Sequence, residues 1–168
     1  MTMIRKKQIT ADEALVRLEL LCARSEQCTF EVTQKLLRWG ISSSDRERIV
    51  DSLVDRRFVD DSRYASAYAR SKFLFSRWGR KKIRMGLAAK RVARPLIDEA
   101  VASATEGEAY MDTLRALMRS KARQMDRPLC REDALKVCRF AMQRGFEWEY
   151  VSGVLDELRR GEYGDDDN

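Results

Sequence analysis

The chain contains no histidine, only two prolines (Pro95 and Pro128) and only eight glycines in 168 residues. Without histidine the usual general base for serine, cysteine or phosphoryl chemistry is missing. A carboxylate could take that role, but no Gly-rich phosphate loop, no GxSxG element and no metal-ligand cluster accompanies the acids. The expectation is a protein that is not an enzyme and uses no cofactor and no metal. The four cysteines (Cys22, Cys28, Cys130 and Cys138) lack CxxC spacing. They are expected to be reduced, partly buried thiols that pack as small apolar side chains. No apolar run approaches the ~20 residues needed to span a bilayer, and no apolar core of signal-peptide type follows Arg5, Lys6 and Lys7. These absences predict a cytoplasmic protein with no membrane partner.

A second absence is local. Between Ser62 and Ile97 there is no Asp or Glu, while eleven cations occur there: Arg63, Arg70, Lys72, Arg77, Arg80, Lys81, Lys82, Arg84, Lys90, Arg91 and Arg94. The whole chain carries 33 basic and 27 acidic residues, so outside this block 22 basic residues face 27 acidic ones. The protein is polarised, not diffusely basic. A single-sign field over so short a stretch suits a polyanion, and phosphate backbones are the commonest one. All eleven are therefore candidate contacts to a nucleic acid or to a filament built on one. No Asn or Gln stands in a recognition-helix pattern, so the expected binding is sequence-tolerant.

Few breakers and 44% apolar residues favour long helices. Thr10 and Glu13 fit a capping box before a helix carrying Leu15, Leu18, Leu21 and Cys22. A second helix, about Phe30 to Trp39, carries Val32, Leu36 and Leu37 inward and stops at Gly40. Asp45 is placed to cap a third, with Ile49, Val50, Leu53 and Val54 inward. Asp60 and Asp61 open a fourth, with Tyr64, Ala67, Tyr68, Ser71 and Phe75 on one stripe. A further helix from about Gly79 to Lys90 turns Ile83, Gly86 and Leu87 inward.

This pattern recurs. Val32, Leu36, Ile41, Ile49 and Leu53 align with Ile83, Leu87, Val92, Ile97 and Val101, and both align with Val137, Ala141, Phe146, Val151 and Leu155. Each set follows another amphipathic helix, at about 11–24, 61–75 and 108–122, the last using Met111, Leu114, Leu117 and Met118. The reading is an all-α chain of three tandem three-helix repeats, about nine helices, stacked into an elongated, curved array. The expected divisions are an N-terminal arm (1–9), repeat 1 (10–59), a basic repeat 2 (60–105), repeat 3 (106–158) and an acidic tail (159–168) read as disordered. Helical spacing predicts that Tyr64, Tyr68 and Phe75 are core, and Trp78, beside Gly79 at an interhelix corner, is expected to pin two repeats together.

In this order and spacing the motifs resemble the RecX family, the bacterial regulators of RecA. The matching features are the RRFVDD element (Arg56 to Asp61) leading to Tyr64 and Ala65, then Trp78-Gly79 followed by Ile83, Leu87, Lys90 and Val92, and the late Gln143-Arg144-Gly145-Phe146. The resemblance covers about residues 10–158. It implies a non-catalytic monomer of three three-helix repeats whose partner is the RecA nucleoprotein filament, bound in its groove, with ATP hydrolysis, strand exchange and SOS co-protease activity restrained. Single-stranded and double-stranded DNA are the implied nucleic-acid partners. The alternative is a sequence-tolerant single-strand-binding helical module with no RecA role. One position departs from the repeat: Gly40 and Gly145 stand where the middle copy has Arg91.

Overall fold

The structure is a computed structural model that describes residues 9–125 and 129–161. All but the last residue of the expected arm, and the tail from residue 162 on, lie outside the described residues. Among the described residues there are nine helices and no strands. They are α1 (Ala11–Arg24), α2 (Thr29–Arg38), α3 (Ser43–Asp55), α4 (Asp61–Leu74), α5 (Arg80–Ala89), α6 (Arg94–Ala104), α7 (Ala109–Ala122), α8 (Arg131–Gln143) and α9 (Trp148–Arg160).

Local chemistry sets their ends. The Thr10 amide donates to Glu13 Oε2 at 3.0 Å while the Glu13 amide donates to Thr10 Oγ1 at 3.2 Å, a reciprocal capping box. Asp60 caps α4 through the Arg63 amide at 2.9 Å. α3 is capped one turn earlier than expected. Ser42 accepts from the Asp45 amide, so Asp45 is the third helical residue and not the cap. The second helix of each triplet closes in one way: amides at positions 40, 91 and 145 donate back three residues, and those at 41, 92 and 146 donate back five. That closure puts residues 40, 91 and 145 in the left-handed region. Gly40 and Gly145 enter it freely, whereas Arg91 is held there at φ 54°.

Close packing follows the repeat. Every aligned position in the three copies is buried, from Val32 and Leu36 through Ile83 and Leu87 to Val137 and Ala141. The principal helix contacts fall within three triplets, α1–α3, α4–α6 and α7–α9. Four apolar assignments fail. Leu37, Val54 and Phe75 are exposed, Phe75 by 84%, and the buried stripe of α4 is Tyr64, Ala65, Ala69 and Phe73, with Ala67 and Ser71 outside it. The true stripe rotates toward small residues because α6 packs closely against α4.

Neighbouring triplets are joined by a repeated device. The first amide of each middle helix reaches into the next triplet: Thr29 N–H donates to Asp61 Oδ1 at 2.7 Å, and Arg80 N–H donates to the Tyr110 hydroxyl at 3.2 Å. Beside it, the residue capping that helix meets the carbonyl at the end of the next middle helix. Cys28 meets it through Sγ, 4.0 Å from the Lys90 carbonyl, and Gly79 meets it through its own amide, 2.7 Å from the Arg144 carbonyl. Having no Cβ, Gly79 lets two backbones touch; a Cβ there would collide with the backbone of Gly145 and Phe146. The consequence is visible in the cores. The second and third triplets share one apolar cluster, which extends to Cys28, while Ala14, Leu18, Val32 and their neighbours form a separate one.

Gly79→Ala is expected to lower stability by about 2 kcal/mol or more, since backbone and not a flexible side chain must yield. Gly153→Ala, in the exposed interior of α9 with open space around it, is expected to raise stability by about 0.5–1 kcal/mol. Denaturant unfolding of the two variants beside the parent measures both.

Candidate nucleic-acid interface

The eleven cations of the basic block divide by what they touch. Five are held by carboxylates that lie outside the acid-free stretch in sequence. Arg63 on α4 pairs with Glu26 at 2.6 Å and also donates to the carbonyls of Arg57 and Phe58. Lys90, just past α5, pairs with Glu31 of α2 at 2.6 Å. Hydrogen bonds to Glu26 and to Glu31 hold the Arg63 and Lys90 side chains, respectively, above their ordinary pKa. Arg84 and Arg94 share Asp98 of α6, at 3.2 and 3.7 Å. All four pairs are partly solvated, so each contributes little to stability and serves mainly to orient.

Arg80 is the fifth and is not a surface cation. Its Nε donates to Thr105 Oγ1 at 2.8 Å and its Nη2 to the Thr105 carbonyl at 3.0 Å. The guanidinium lies 4.1 Å from the Tyr110 ring centroid and 3.8 Å from Glu147. Tyr110 is buried and donates to Glu147 Oε2 at 2.5 Å; burial first, then that carboxylate, push its hydroxyl pKa up. Arg80, counted from the sequence among the candidate contacts, is the polar pin between the second and third triplets.

The remaining six project from the middle triplet. Lys72 and Lys82 lie on the Trp78 ring at 4.8 and 4.7 Å, and Lys82 also donates to the Gln143 carbonyl at 3.4 Å. Trp78 is thus partly buried, beside the joint that Gly79 makes with the end of α8. Arg91 rests over Phe30 at 5.1 Å. Arg70, Arg77 and Lys81 are exposed, and among the described residues their side chains have no carboxylate partner. Arg77 and Arg57 share with Arg91 a left-handed backbone, at φ 51° and 58°. Every non-glycine residue with positive φ among those described is an arginine at the end of a helix. A cation is favoured there by the helix dipole, which offsets part of the strain.

Sequence reasoning missed two cations. Lys35 and Arg38 belong to α2, outside the acid-free block, yet they line a groove with Lys90. Their signal was the spacing of Gln27, Glu31, Gln34, Lys35 and Arg38 along one face, opposite the buried Val32 and Leu36. The cysteines separate as well. Cys28 and Cys138 are buried and Cys22 half-buried, and burial raises all three thiols. Cys130, expected to be partly buried, is exposed and caps α8. No helix among the described residues is long and apolar enough to cross a membrane.

Comparison with known proteins gives a consistent result. Residues 60–101 match the family described as RecX, second three-helix domain. The chain is 33% identical over 136 residues to regulatory protein RecX of Chromohalobacter salexigens, covering 80% of this chain and 86% of that protein. It is 30% identical over 132 residues to regulatory protein RecX of Clostridium tetani, covering 76% of this chain but spanning only 59% of that longer relative. The crystal structure of RecX from Lactobacillus salivarius superposes with a TM-score of 0.78 at 18% identity, over 88% of this chain and 96% of that one.

Arg91→Gly is expected to raise stability by about 1 kcal/mol through relief of the left-handed strain, and at the same time to weaken polyanion binding. Arg80→Met is expected to do the reverse, costing about 2 kcal/mol by leaving Thr105 and Glu147 short of a partner, with folded protein binding as before. Thermal unfolding and single-strand titrations on the same two variants separate the structural from the exposed cation.

Proposed function

The chain belongs to the RecX family of regulatory proteins, and on that premise we propose that it binds the RecA–DNA filament in its groove and restrains ATP hydrolysis, strand exchange and the SOS co-protease activity. It acts in the cytoplasm as a monomer, by occupancy and not by chemistry. The observation that carries this reading is the set of Arg70, Lys72, Arg77, Lys81, Lys82 and Arg91, presented on the middle triplet without carboxylate neutralisation while the other cations of the block are paired with carboxylates. An array of stacked triplets offers a surface long enough to lie along a filament, and uncompensated cations on it favour a phosphate-bearing partner. Contacts of this kind position a protein without reading bases. The division domain by domain, with a basic second repeat over 60–105, fits the same reading.

The competing reading is a module that binds bare single strands and is indifferent to RecA. The two differ in one measurement, affinity for a RecA-coated strand against affinity for the same strand alone. The proposal expects tighter binding to the coated strand and a fall in RecA's DNA-dependent ATP turnover as the protein is titrated; unchanged turnover and filament lifetime across a wide titration would refute it. Replacing Arg70, Arg77 and Lys81 together by Glu is expected to leave helix content intact and to weaken association. If all three touch phosphate, the log–log salt dependence on single strands flattens by about two units, at about 0.7 per contact.

A further inference from the structure

The groove between the first and second triplets carries chemistry that the basic block alone does not explain. One wall is the outward face of α2, with Phe30, Gln34, Lys35 and Arg38, and the buried Gln27 just before the helix at its end; the other is Lys90, with Arg91 lying over the Phe30 ring. Its volume is about 590 Å³, and it is open to solvent along its length. The lining residues of α2 recur every three or four positions, so they form one continuous strip parallel to the helix axis. Three cations line the groove, Lys35, Arg38 and Lys90, with Arg91 beside it over Phe30, against one carboxylate, Glu31, which is already engaged by Lys90 at 2.6 Å. Arg38 donates its Nε to the Gln34 carbonyl at 3.2 Å, which fixes the stem and leaves the terminal nitrogens pointing to solvent. Lys35 has no carboxylate partner among the described residues.

We infer that this groove binds a segment of single-stranded nucleic-acid backbone, with Lys35 and Arg38 from the first triplet and Arg91 from the second acting on successive phosphates, while Lys90 stays paired with Glu31 in the groove wall. The inference rests on the filament-binding reading and extends it: the polyanion surface is not confined to the middle triplet but crosses the joint. A narrow strip of cations interleaved with amides and one partly shielded ring suits a flexible single strand, which can follow a helix face, better than a duplex, whose phosphates are spaced on a rigid cylinder. Gln34 offers both a donor and an acceptor beside the phosphate track, where sugar and base edges of any sequence can be met. Binding across the joint would also tie together two triplets whose cores are separate.

The test uses the full chain with both Lys35→Gln and Arg38→Gln, two neutral changes at side chains that are not in the core, beside Arg48→Gln on α3 as a control. Binding to a labelled oligo(dT) strand is measured across a salt series, and RecA ATP turnover is measured on the same preparations, with circular dichroism to verify helix content. The expected result is a log–log salt slope flatter by about 1.4 in the double variant, two contacts at about 0.7 each, and no change in the control. A double variant with the parental slope and affinity on oligo(dT) overturns the inference. If that variant binds oligo(dT) like the parent but loses the RecA-coated strand, the groove is a protein contact and the nucleic-acid assignment is wrong. Parental protein that binds oligo(dT) but leaves RecA turnover untouched would refute the filament-regulator reading alone, because the slope of the double variant on bare strand still decides the groove.

Discussion

The array depends on one hydrogen bond made twice: the first amide of a middle helix donating to a side chain in the first turn of the next triplet. A free amide at a helix start must find a partner, and here the next triplet supplies it through Asp61 or Tyr110. Because the donor is backbone and the acceptor sits at a fixed place on a helix, the bond sets where the next triplet begins. The neighbouring contact, from the helix cap to the carbonyl of Lys90 or Arg144, sets its orientation. Together they convert three small bundles, none with a large core of its own, into a stack.

The same device is built with different chemistry at the two joints. At Gly79 the absent side chain lets backbones meet, apolar surfaces fuse, and Arg80 is enclosed by Thr105, Tyr110 and Glu147. At Cys28 the side chain intervenes, and the surrounding contacts are ionic: Glu26 with Arg63 and Glu31 with Lys90. Apolar contact scales with area and is insensitive to salt, whereas half-exposed ion pairs are worth at most about 1 kcal/mol each and are screened. The third triplet is therefore bound more firmly to the second than the first is.

Much of this was legible in the sequence. The aligned apolar positions are all buried, because a side chain at helical spacing that recurs in three copies has only the core to explain it. The capping box at Thr10 and the Asp60 cap were legible for the same reason, since their partners are three residues away. What failed was whatever depends on a partner distant in sequence. Phe75 looked like core by size and spacing, but α4 turns its alanines to α6 and leaves Phe75 outside. The acid-free block looked uniformly available, yet Glu26, Glu31, Asp98 and Glu147 fold back onto five of its cations. Charge counted along a chain measures the field at a distance and says nothing about which charges remain uncompensated at contact.

The arginines at helix ends unite these points. A left-handed residue closes a helix most cheaply as glycine, and the chain uses glycine at positions 40, 107, 145 and 161. Where it uses Arg57, Arg77 and Arg91 instead, the backbone takes on strain of order 1 kcal/mol apiece. Dipole attraction recovers a few tenths of that at an exposed terminus, which is less than the cost. All three lie on the first two triplets, Arg57 bonded through its carbonyl to Arg63 at the first joint, Arg91 over Phe30 at the same joint, and Arg77 beside Trp78 at the second. Stability alone would favour glycine at each, so the net cost falls where the uncompensated cations and the joints coincide.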